Sequence, residues 1–184
     1  CSSSEKGSSE KEHLPGRNPK LLIIGIDGCR PDALMAANTP NLDALMANGI
    51  YSLDARNTGI TYSGPASCTS WRGVWQDKHK VVDNSFSGSD FVRYPHFFKR
   101  IEENDPNNRT VSISQWHPIN DQIAKGVVDI ARNTADSSED VKNKAIAELG
   151  VEELRALFVH FDDVDHAGHS SGFSPDNSYY VSAI

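Results

Sequence analysis

The hydrophobic pattern of this chain predicts strands that are separated by helices. Continuous apolar runs at 20–26 and 157–161 are typical of strands buried on both faces of a parallel sheet, and we expect the first at the centre of that sheet. Alternating residues at 110–114 predict a further strand, and 50–55 can form another.

Start and stop signals place helices between these strands. Thr39-Pro40 opens one helix that ends at Gly49, and clustered phenylalanines after Pro95 predict another within 91–103.

Two more helices are predicted nearer the C-terminal end. Ser137 with Asp140 resembles a capping box, and the helix that follows should bury one apolar stripe. The stripe consists of Val141, Ala145, Ile146 and Leu149. Ser174-Pro175-Asp176 predicts the start of a last helix, with Ser174 as its N-cap. Because no cap or polar tail follows it, we expect the 184 residues to be the N-terminal portion of a longer protein.

Strands that alternate with helices indicate an α/β fold with a mostly parallel central sheet and helices on its faces. In such sheets, ligand sites form outside the carboxyl ends of the strands. This rule selects Asp27 after the first strand, 61–68 after the second and 162–169 after the strand at 157–161.

Composition narrows the class of protein. With 38% apolar and 23% charged residues and a mean hydropathy of −0.49, the chain as a whole is neither disordered nor embedded in a membrane, and no apolar run reaches 18 residues. The whole net charge of −7 lies within 135–184, and no basic stripe of the kind that binds nucleic acid is present. An acidic segment of this kind is either a solvated surface or a cation site.

The first residues are polar and of low complexity. We expect 1–19 to be a disordered tether and 20–184 to fold. A Cys at position 1 ahead of a Ser-rich stretch resembles a mature bacterial lipoprotein, which predicts a lipid on Cys1 and a location in the cell envelope or outside the cell; an arbitrary chain start is the alternative. Whether Cys29 and Cys68 pair is left open.

The segment 162–169 holds three carboxylates and two imidazoles. Imidazole with carboxylate favours zinc, whereas carboxylates alone would favour calcium or magnesium. Asp165 and His169 are four residues apart, so that one helical turn can direct both at one ion, while His166 points elsewhere. A solvated acidic loop is the alternative.

Two other predicted strand ends carry residues that could bind a metal ion or act as a nucleophile. Asp27 ends a buried strand, where a cation would remove the cost of an unpaired carboxylate, and a turn-capping role is the alternative. The segment 61–70 is rich in hydroxyls and has one thiol ahead of a predicted helix, so it could supply a nucleophile or simply cap the helix.

Five motifs in order resemble the type I phosphodiesterase/nucleotide pyrophosphatase family of the alkaline phosphatase superfamily, from about residue 20 to the end. They are 24–30 (IGIDGCR), 39–42 (TPNL), 63–65 (SGP), 73–79 (GVWQDKH) and 165–169 (DHAGH). The resemblance implies an alkaline-phosphatase-like fold, of which 20–184 would be the N-terminal part.

The resemblance also implies a metal-dependent phosphoric ester hydrolase that forms a covalent phospho-enzyme. It would use two divalent metal ions, of which zinc is the first choice. Ser63 is then the nucleophile, preferred to Ser67, Cys68 and Thr69, and a metal ligand. Asp27 would bind the metal that activates it, Asp165 and His169 would bind the other metal, and Asn84 would donate to a phosphate oxygen. The expected substrate is a phosphate ester or nucleotide-like small molecule.

Several positions depart from the family pattern. Arg72 stands where the family has Thr, Lys80 where it has Gly, and Ser63 where its phosphodiesterases commonly have Thr, so a phosphomonoesterase remains an alternative. Two further alternatives are a sulfatase and a non-catalytic envelope lipoprotein with a degenerate site. The family's later metal ligands have no counterpart after His169, so we expect the 184 residues alone to bind zinc weakly and to be inactive.

Overall fold

The computed structural model of the chain describes residues 19–57, 59–134 and 137–184. The predicted lipid site at Cys1 and all of the predicted tether except Pro19 lie outside these residues. None of the described helices is both long and apolar enough to cross a membrane.

A parallel four-stranded sheet forms the centre of the fold, with the strand order β1-β4-β2-β3. Its strands are β1 (Leu21–Ile26), β2 (Arg109–Ser114), β3 (Ile130–Asn133) and β4 (Leu154–Phe161). The predicted α/β class with a parallel sheet is confirmed.

Eight helices accompany the sheet in the described parts of the chain. They are α1 (Pro31–Ala36), α2 (Pro40–Asn48), α3 (Ser63–Arg72), α4 (Gln76–His79), α5 (Phe97–Asn104), α6 (Ser138–Leu149), α7 (Asp163–Ser171) and α8 (Ser178–Ser182). A short π-helical turn covers Ile119–Ile123.

Helices pack on both faces of β4, as predicted. On one face, Ala156 and Phe158 pack in a cluster with residues of α3 and α5, including Trp71 and Phe98. On the other face, Leu157 and Val159 pack with residues of α6 and β2. Packing on both faces holds β4 in place, and α7 begins directly after this strand.

The position of β1 corrects one prediction. β1 lies at an edge of the described sheet rather than at its centre, and Leu21, Leu22 and Ile24 are exposed. A continuous apolar run shows that a strand can be buried on both faces but does not say which strands will flank it, and here β4 is the central strand.

Three further boundaries differ from the predictions. Residues 50–55 form no strand and expose Ile50 and Tyr51, since no described strand pairs with them. α5 begins at Phe97, so that the helical part of 91–103 is shorter than predicted. The last helix begins at Ser178, because Asn177 Oδ1 accepts the N–H groups of Tyr179 and Tyr180, while Ser174 lies ahead of a turn.

The capping box at α6 is confirmed in part. Ser137 Oγ accepts a hydrogen bond from the backbone N–H of Asp140 at 3.2 Å. Val141 and Ala145 are buried as predicted, but Ile146 and Leu149 are exposed, and Glu148 is buried instead. Glu148 binds Arg109 of β2 and Arg132 of β3, at 2.7 and 3.3 Å, so that these two ion pairs link α6 to the sheet.

Candidate active site

The carboxyl ends of β1 and β4 bring two acidic segments together. Ile26 pairs with Phe161 in the parallel register, and the N–H of Asp27 donates to Phe161 O at 3.0 Å. Asp27 and Asp162 therefore leave neighbouring strands at the same edge, and α7 begins directly after Asp162. Two of the three predicted strand-end positions thus meet at one place.

Asp27 has three polar neighbours. Its Oδ1 accepts the N–H of Gly28 at 2.9 Å, its Oδ2 lies 3.6 Å from His160 Nε2, and the Ser63 hydroxyl is near enough to lower the pKa of its carboxyl group. Burial raises the pKa of Asp27, but the contacts with His160 and Ser63 outweigh this effect and the pKa lies below its usual value. The carboxylate is therefore held in its charged form.

Ser63 is the first residue of α3, directly after Tyr62. The first N–H groups of a helix lack partners within it, so this end favours an anion. Ser63 and Asp27 line the same cavity, which has a volume of about 870 Å³. The hydroxyl is therefore accessible, close to a carboxylate and at an anion-favouring helix end.

The other hydroxyl and thiol candidates lie elsewhere on α3. Cys68 is fully buried, and burial raises the pKa of its thiol to about 12. Thr69 Oγ1 pairs with His79 Nε2 at 3.1 Å, and His79 Nδ1 accepts the N–H of Val81. Because Nδ1 is an acceptor, Nε2 carries the proton, and Thr69 is the acceptor in a structural link between α3 and α4. Ser67 does not line the cavity. Cys29 and Cys68 are both free thiols.

Asn84 lies over the start of α3. Its Oδ1 accepts the N–H of Gly64 at 2.8 Å, which leaves the side-chain amide N–H groups as donors at the cavity wall. A Cβ on Gly64 would lie 2.9 Å from Asn84 Oδ1, so glycine is required for this approach.

Asp165 and His169 lie one turn apart on α7, with 3.4 Å between Oδ2 and Nε2. Both line the cavity. Burial, followed by the negative charge of Asp27, raises the pKa of Asp165 above its usual value. A carboxylate in this position gains from a nearby cation.

The backbone of Asp165 also contacts the loop after β1. Gly28 has φ +68°, and a Cβ there would lie 2.5 Å from Asp165 Cα. Tyr180 of α8 holds the same loop, since its hydroxyl donates to Gly28 O and accepts the N–H of Arg30. The separation of Asp27 and Asp165 is thus fixed by close packing.

Gln115, which follows β2, fixes the beginning of α7. Its Oε1 accepts the N–H of Asp162 at 2.7 Å, and its Nε2 donates to Asp163 Oδ1 at 3.0 Å. The sequence prediction did not include this residue, since a single Gln after a strand has no distinguishing pattern.

His160 was missed as well. It lies within β4, is 4% exposed and sits with Asp27 and Asp162 in a group whose potential metal-ligand atoms are all within 4.8 Å of one another. A histidine inside an apolar run is typical of a core position. Its spacing from Asp162 is the signal that could have identified it. Residues two apart along a strand point to the same face, and this strand ends at the site.

The donors at this edge of the sheet fit divalent metal ions. Imidazole and carboxylate together are the ligands of zinc in proteins, and three carboxylates close together need a cation to offset their repulsion. The donors are Asp27, His160, Asp162, Asp165 and His169.

Two departures from the family pattern have local structural roles. The Arg72 guanidinium lies 3.6 Å from the centre of the Phe91 ring and donates to the carbonyl oxygens of Tyr94 and Ile123, so that it ties α3 to two neighbouring segments. Lys80 ends α4 with φ +64°, a conformation that favours glycine. Neither residue lines the cavity.

Curated relatives match most of the chain. Human bis(5'-adenosyl)-triphosphatase ENPP4 is 25% identical over 199 residues, which cover 96% of this chain and 42% of the relative. Human ectonucleotide pyrophosphatase/phosphodiesterase family member 7 is 24% identical over 188 residues, covering 90% of this chain and 41% of the relative. The chain therefore spans less than half the length of these relatives.

A solved structure shares the fold. Murine ectonucleotide pyrophosphatase/phosphodiesterase 5, as an inactive variant in complex with AMP, superposes with a TM-score of 0.68 at 20% identity, covering 89% of this chain and 48% of that protein. This likeness confirms the predicted alkaline-phosphatase-like fold. The sequence profile described as type I phosphodiesterase / nucleotide pyrophosphatase matches residues 21–116, about half of the chain. The chain belongs to the type I phosphodiesterase/nucleotide pyrophosphatase family.

Proposed function

We propose that the full-length protein containing this chain hydrolyses phosphoric diesters or pyrophosphates, with Ser63 as the nucleophile. The observation that carries the proposal is that Ser63, at the start of α3, and Asp27 line the same open cavity, with the Ser63 hydroxyl near enough to the Asp27 carboxylate to lower its pKa. The other hydroxyl and thiol candidates of α3 are either paired within the fold or outside the cavity wall.

In the proposed reaction, Ser63 Oγ forms a bond to phosphorus as the bond from phosphorus to the leaving oxygen breaks. Asp27 orients the hydroxyl before attack; the hydroxyl proton passes to solvent water, which also protonates the leaving oxygen. Asn84 Nδ2 donates to a phosphoryl oxygen, while the start of α3 faces the same charge. Water then breaks the bond between phosphorus and Ser63 Oγ and restores the hydroxyl.

Two divalent cations, with zinc the first choice, would lower the pKa of the hydroxyl and neutralise the phosphoryl charge. Asp27 and Ser63 would hold one of them, and Asp165 with His169 would hold the other. The pairs fit this role because Asp27 and Ser63 place oxygen donors on the cavity wall, and Asp165 and His169 place an oxygen and a nitrogen donor there.

The proposed substrate is nucleotide-like. Human ENPP4 is a bis(5'-adenosyl)-triphosphatase by name, and murine ENPP5 is seen with AMP. The cavity is lined by the aromatic rings of Tyr62, Trp116 and Phe173 in addition to its polar residues. A volume of about 870 Å³ lies in the range of small-molecule sites, and aromatic walls can stack on a base.

Hydrolysis of bis-p-nitrophenyl phosphate by the full-length protein tests the proposal. The comparison substrates are p-nitrophenyl phosphate, which tests the monoesterase alternative, and p-nitrophenyl sulfate, which tests the sulfatase alternative. We expect the diester to be preferred, Ser63→Ala to abolish turnover with folding retained, and Ser67→Ala to retain activity. Full activity in Ser63→Ala, or loss in Ser67→Ala alone, would assign the nucleophile elsewhere.

A further inference from the structure

The beginning of α3 is held by a distant segment of the chain, residues 83–86. Tyr62 occupies the N-cap position of α3, and its side chain makes no capping hydrogen bond among the described residues. The N–H of Gly64 is satisfied instead by Asn84 Oδ1 at 2.8 Å, across 20 residues of sequence. The residue after the proposed nucleophile Ser63 therefore depends on the segment 83–86 for its partner.

Phe86 packs against this end of α3. A Cβ on Gly64 would lie 3.1 Å from Asp83 O and 3.2 Å from Phe86 Cζ, so both the backbone of the segment and the ring lie against the helix start. The Phe86 ring also packs with Trp116 of the cavity wall, with 6.1 Å between the ring centroids and 35° between the ring planes. Phe86 is 7% exposed and is not among the described residues that line the cavity.

The backbone of Phe86 is strained. Its φ is +59°, in the left-handed region that bulky side chains rarely adopt. Hydrogen bonds fix the turn on both sides, since Asp83 Oδ1 accepts the Ser85 N–H at 2.8 Å and Phe86 O accepts the Ser89 N–H at 3.3 Å. Such a conformation persists only where the surrounding structure holds it, and it is concentrated at functional sites. Glycine at residue 86 would relieve the strain but would leave no ring against Gly64.

Trp116 has backbone contacts of its own. Its carbonyl oxygen accepts the Ser114 hydroxyl at 2.8 Å and the Ile119 N–H at 3.2 Å. The start of α3, in contrast, rests on the bond from Gly64 to Asn84 and on the Phe86 ring. Loss of the ring would therefore displace the start of α3 more than it displaces the aromatic wall of the cavity.

We propose that Phe86 is a positioning residue, which keeps the start of α3 at a fixed distance from Asn84 and thereby places the Ser63 hydroxyl for attack. The effect on attack rests on the proposed function, but the placement of Gly64 does not. Phe86 acts through Gly64 and Asn84 rather than on the substrate. Because a displacement of about 1 Å can cost roughly 100-fold in rate, a buried ring outside the cavity can control kcat.

Steady-state kinetics of the full-length protein with bis-p-nitrophenyl phosphate test this role in two matched variants, Phe86→Leu and Phe98→Leu. Both remove an aromatic ring from the same buried cluster. Phe98 is the control, because it is fully buried but packs against Trp71, near the other end of α3.

We expect Phe86→Leu to lower kcat roughly 10- to 100-fold, with KM within about threefold of the parent protein. Phe98→Leu should keep kcat within about threefold, even though its melting temperature falls at least as far, because it leaves a cavity in the fully buried part of the cluster. An unchanged kcat in Phe86→Leu, or equal falls in kcat for the two variants, overturns the proposal.

A second measurement does not depend on turnover. With glycine selectively labelled with nitrogen-15, NMR can follow hydrogen exchange of the Gly64 amide in the full-length protein. Phe86→Met fills much of the volume of the ring with a flexible chain, and it should exchange the Gly64 amide at least about 10-fold faster than the parent. Phe98→Leu should leave this exchange within about threefold. Equal exchange in Phe86→Met and the parent overturns the proposal even if Phe86→Leu fails to fold.

Failure of this proposal is distinguishable from failure of the proposed function. Faster exchange of Gly64 in Phe86→Met together with full activity in Ser63→Ala keeps the placement of the α3 start by Phe86 and removes the nucleophile. Unchanged exchange in Phe86→Met together with an inactive Ser63→Ala removes the positioning role and keeps the hydrolase.

Discussion

Asn84 Oδ1 accepts the backbone N–H of Gly64 at 2.8 Å, one residue beyond the proposed nucleophile. This bond fixes which side-chain atom faces the cavity, because the oxygen is used and the amide N–H groups are left to donate. It therefore separates two roles of one side chain, the support of the α3 start and the proposed contact with substrate.

Asn84→Asp tests that separation. The variant keeps an acceptor for Gly64 but loses the donor and adds a negative charge, so kcat should fall roughly 100- to 1,000-fold while the melting temperature changes little. Steady-state kinetics and thermal unfolding of the full-length protein measure the two effects. An active Asn84→Asp variant would remove Asn84 from the phosphate contact.

Gly28→Ala tests the packing that sets the distance between Asp27 and Asp165. Gly28 and Gly73 both have left-handed backbones, with φ +68° and +65°, but only at Gly28 would an added Cβ have atoms within 4 Å, the nearest at 2.5 Å. We expect Gly73→Ala to lower the free energy of unfolding by about 1 kcal/mol, and Gly28→Ala by about 2 to 4 kcal/mol with weaker zinc binding. Chemical denaturation of the two variants measures the difference, and equal losses would contradict the account.

Lys80→Gly should stabilise the protein. Lys80 ends α4 at φ +64°, where glycine avoids the strain of a side chain. The expected gain is about 0.5 to 1 kcal/mol in the free energy of unfolding, since the added freedom of the unfolded chain offsets part of the relief. Lys80→Ala keeps a Cβ at this position and is the control, expected within about 0.5 kcal/mol of the parent. If both variants are equally stable, the backbone at residue 80 is not strained.

The buried His96 predicts a dependence of stability on pH. Burial, followed by the charges of Arg72 and Lys99, lowers the pKa of His96 from 6.5 to about 4. Between these values the unfolded chain binds a proton that the folded protein does not, so stability falls as the pH drops from about 6.5 to about 4. The loss expected over this range is on the order of 3 kcal/mol.

His96→Phe should remove this contribution. Phenylalanine suits the site because His96 lies against the rings of Trp71, Phe97 and Phe98. Urea unfolding at a series of pH values should therefore show a smaller slope for the variant below pH 6.5. An unchanged slope would show that another group takes up the proton.

The local pattern of apolar and polar residues was sufficient to predict those elements whose own residues carry a clear signal. The runs that became β1 and the end of β4, and the Ser137 cap of α6, were predicted because a long apolar run or a cap is visible in a few residues. The same reasoning placed Asp27 and the 162–169 segment at strand ends, and parallel pairing brings these ends together.

Features that depend on distant partners were not predicted. β3 is short, with Arg132 and Asn133 in its four residues, and is a strand only because it pairs with β2. The segment 50–55 has strand-like residues but no described partner, and the edge position of β1 follows from pairing alone. His160 was overlooked for a related reason, since its neighbours across the sheet, rather than its neighbours in sequence, place it beside Asp27.

The most direct test of the central claim is to trap the covalent intermediate. The full-length protein, quenched in acid during turnover of a nucleotide-like diester, would be digested and analysed by mass spectrometry. The account predicts a phosphoryl adduct on the peptide that contains Ser63 and none in Ser63→Ala. An adduct on another residue, or full turnover in Ser63→Ala with no adduct anywhere, would contradict it.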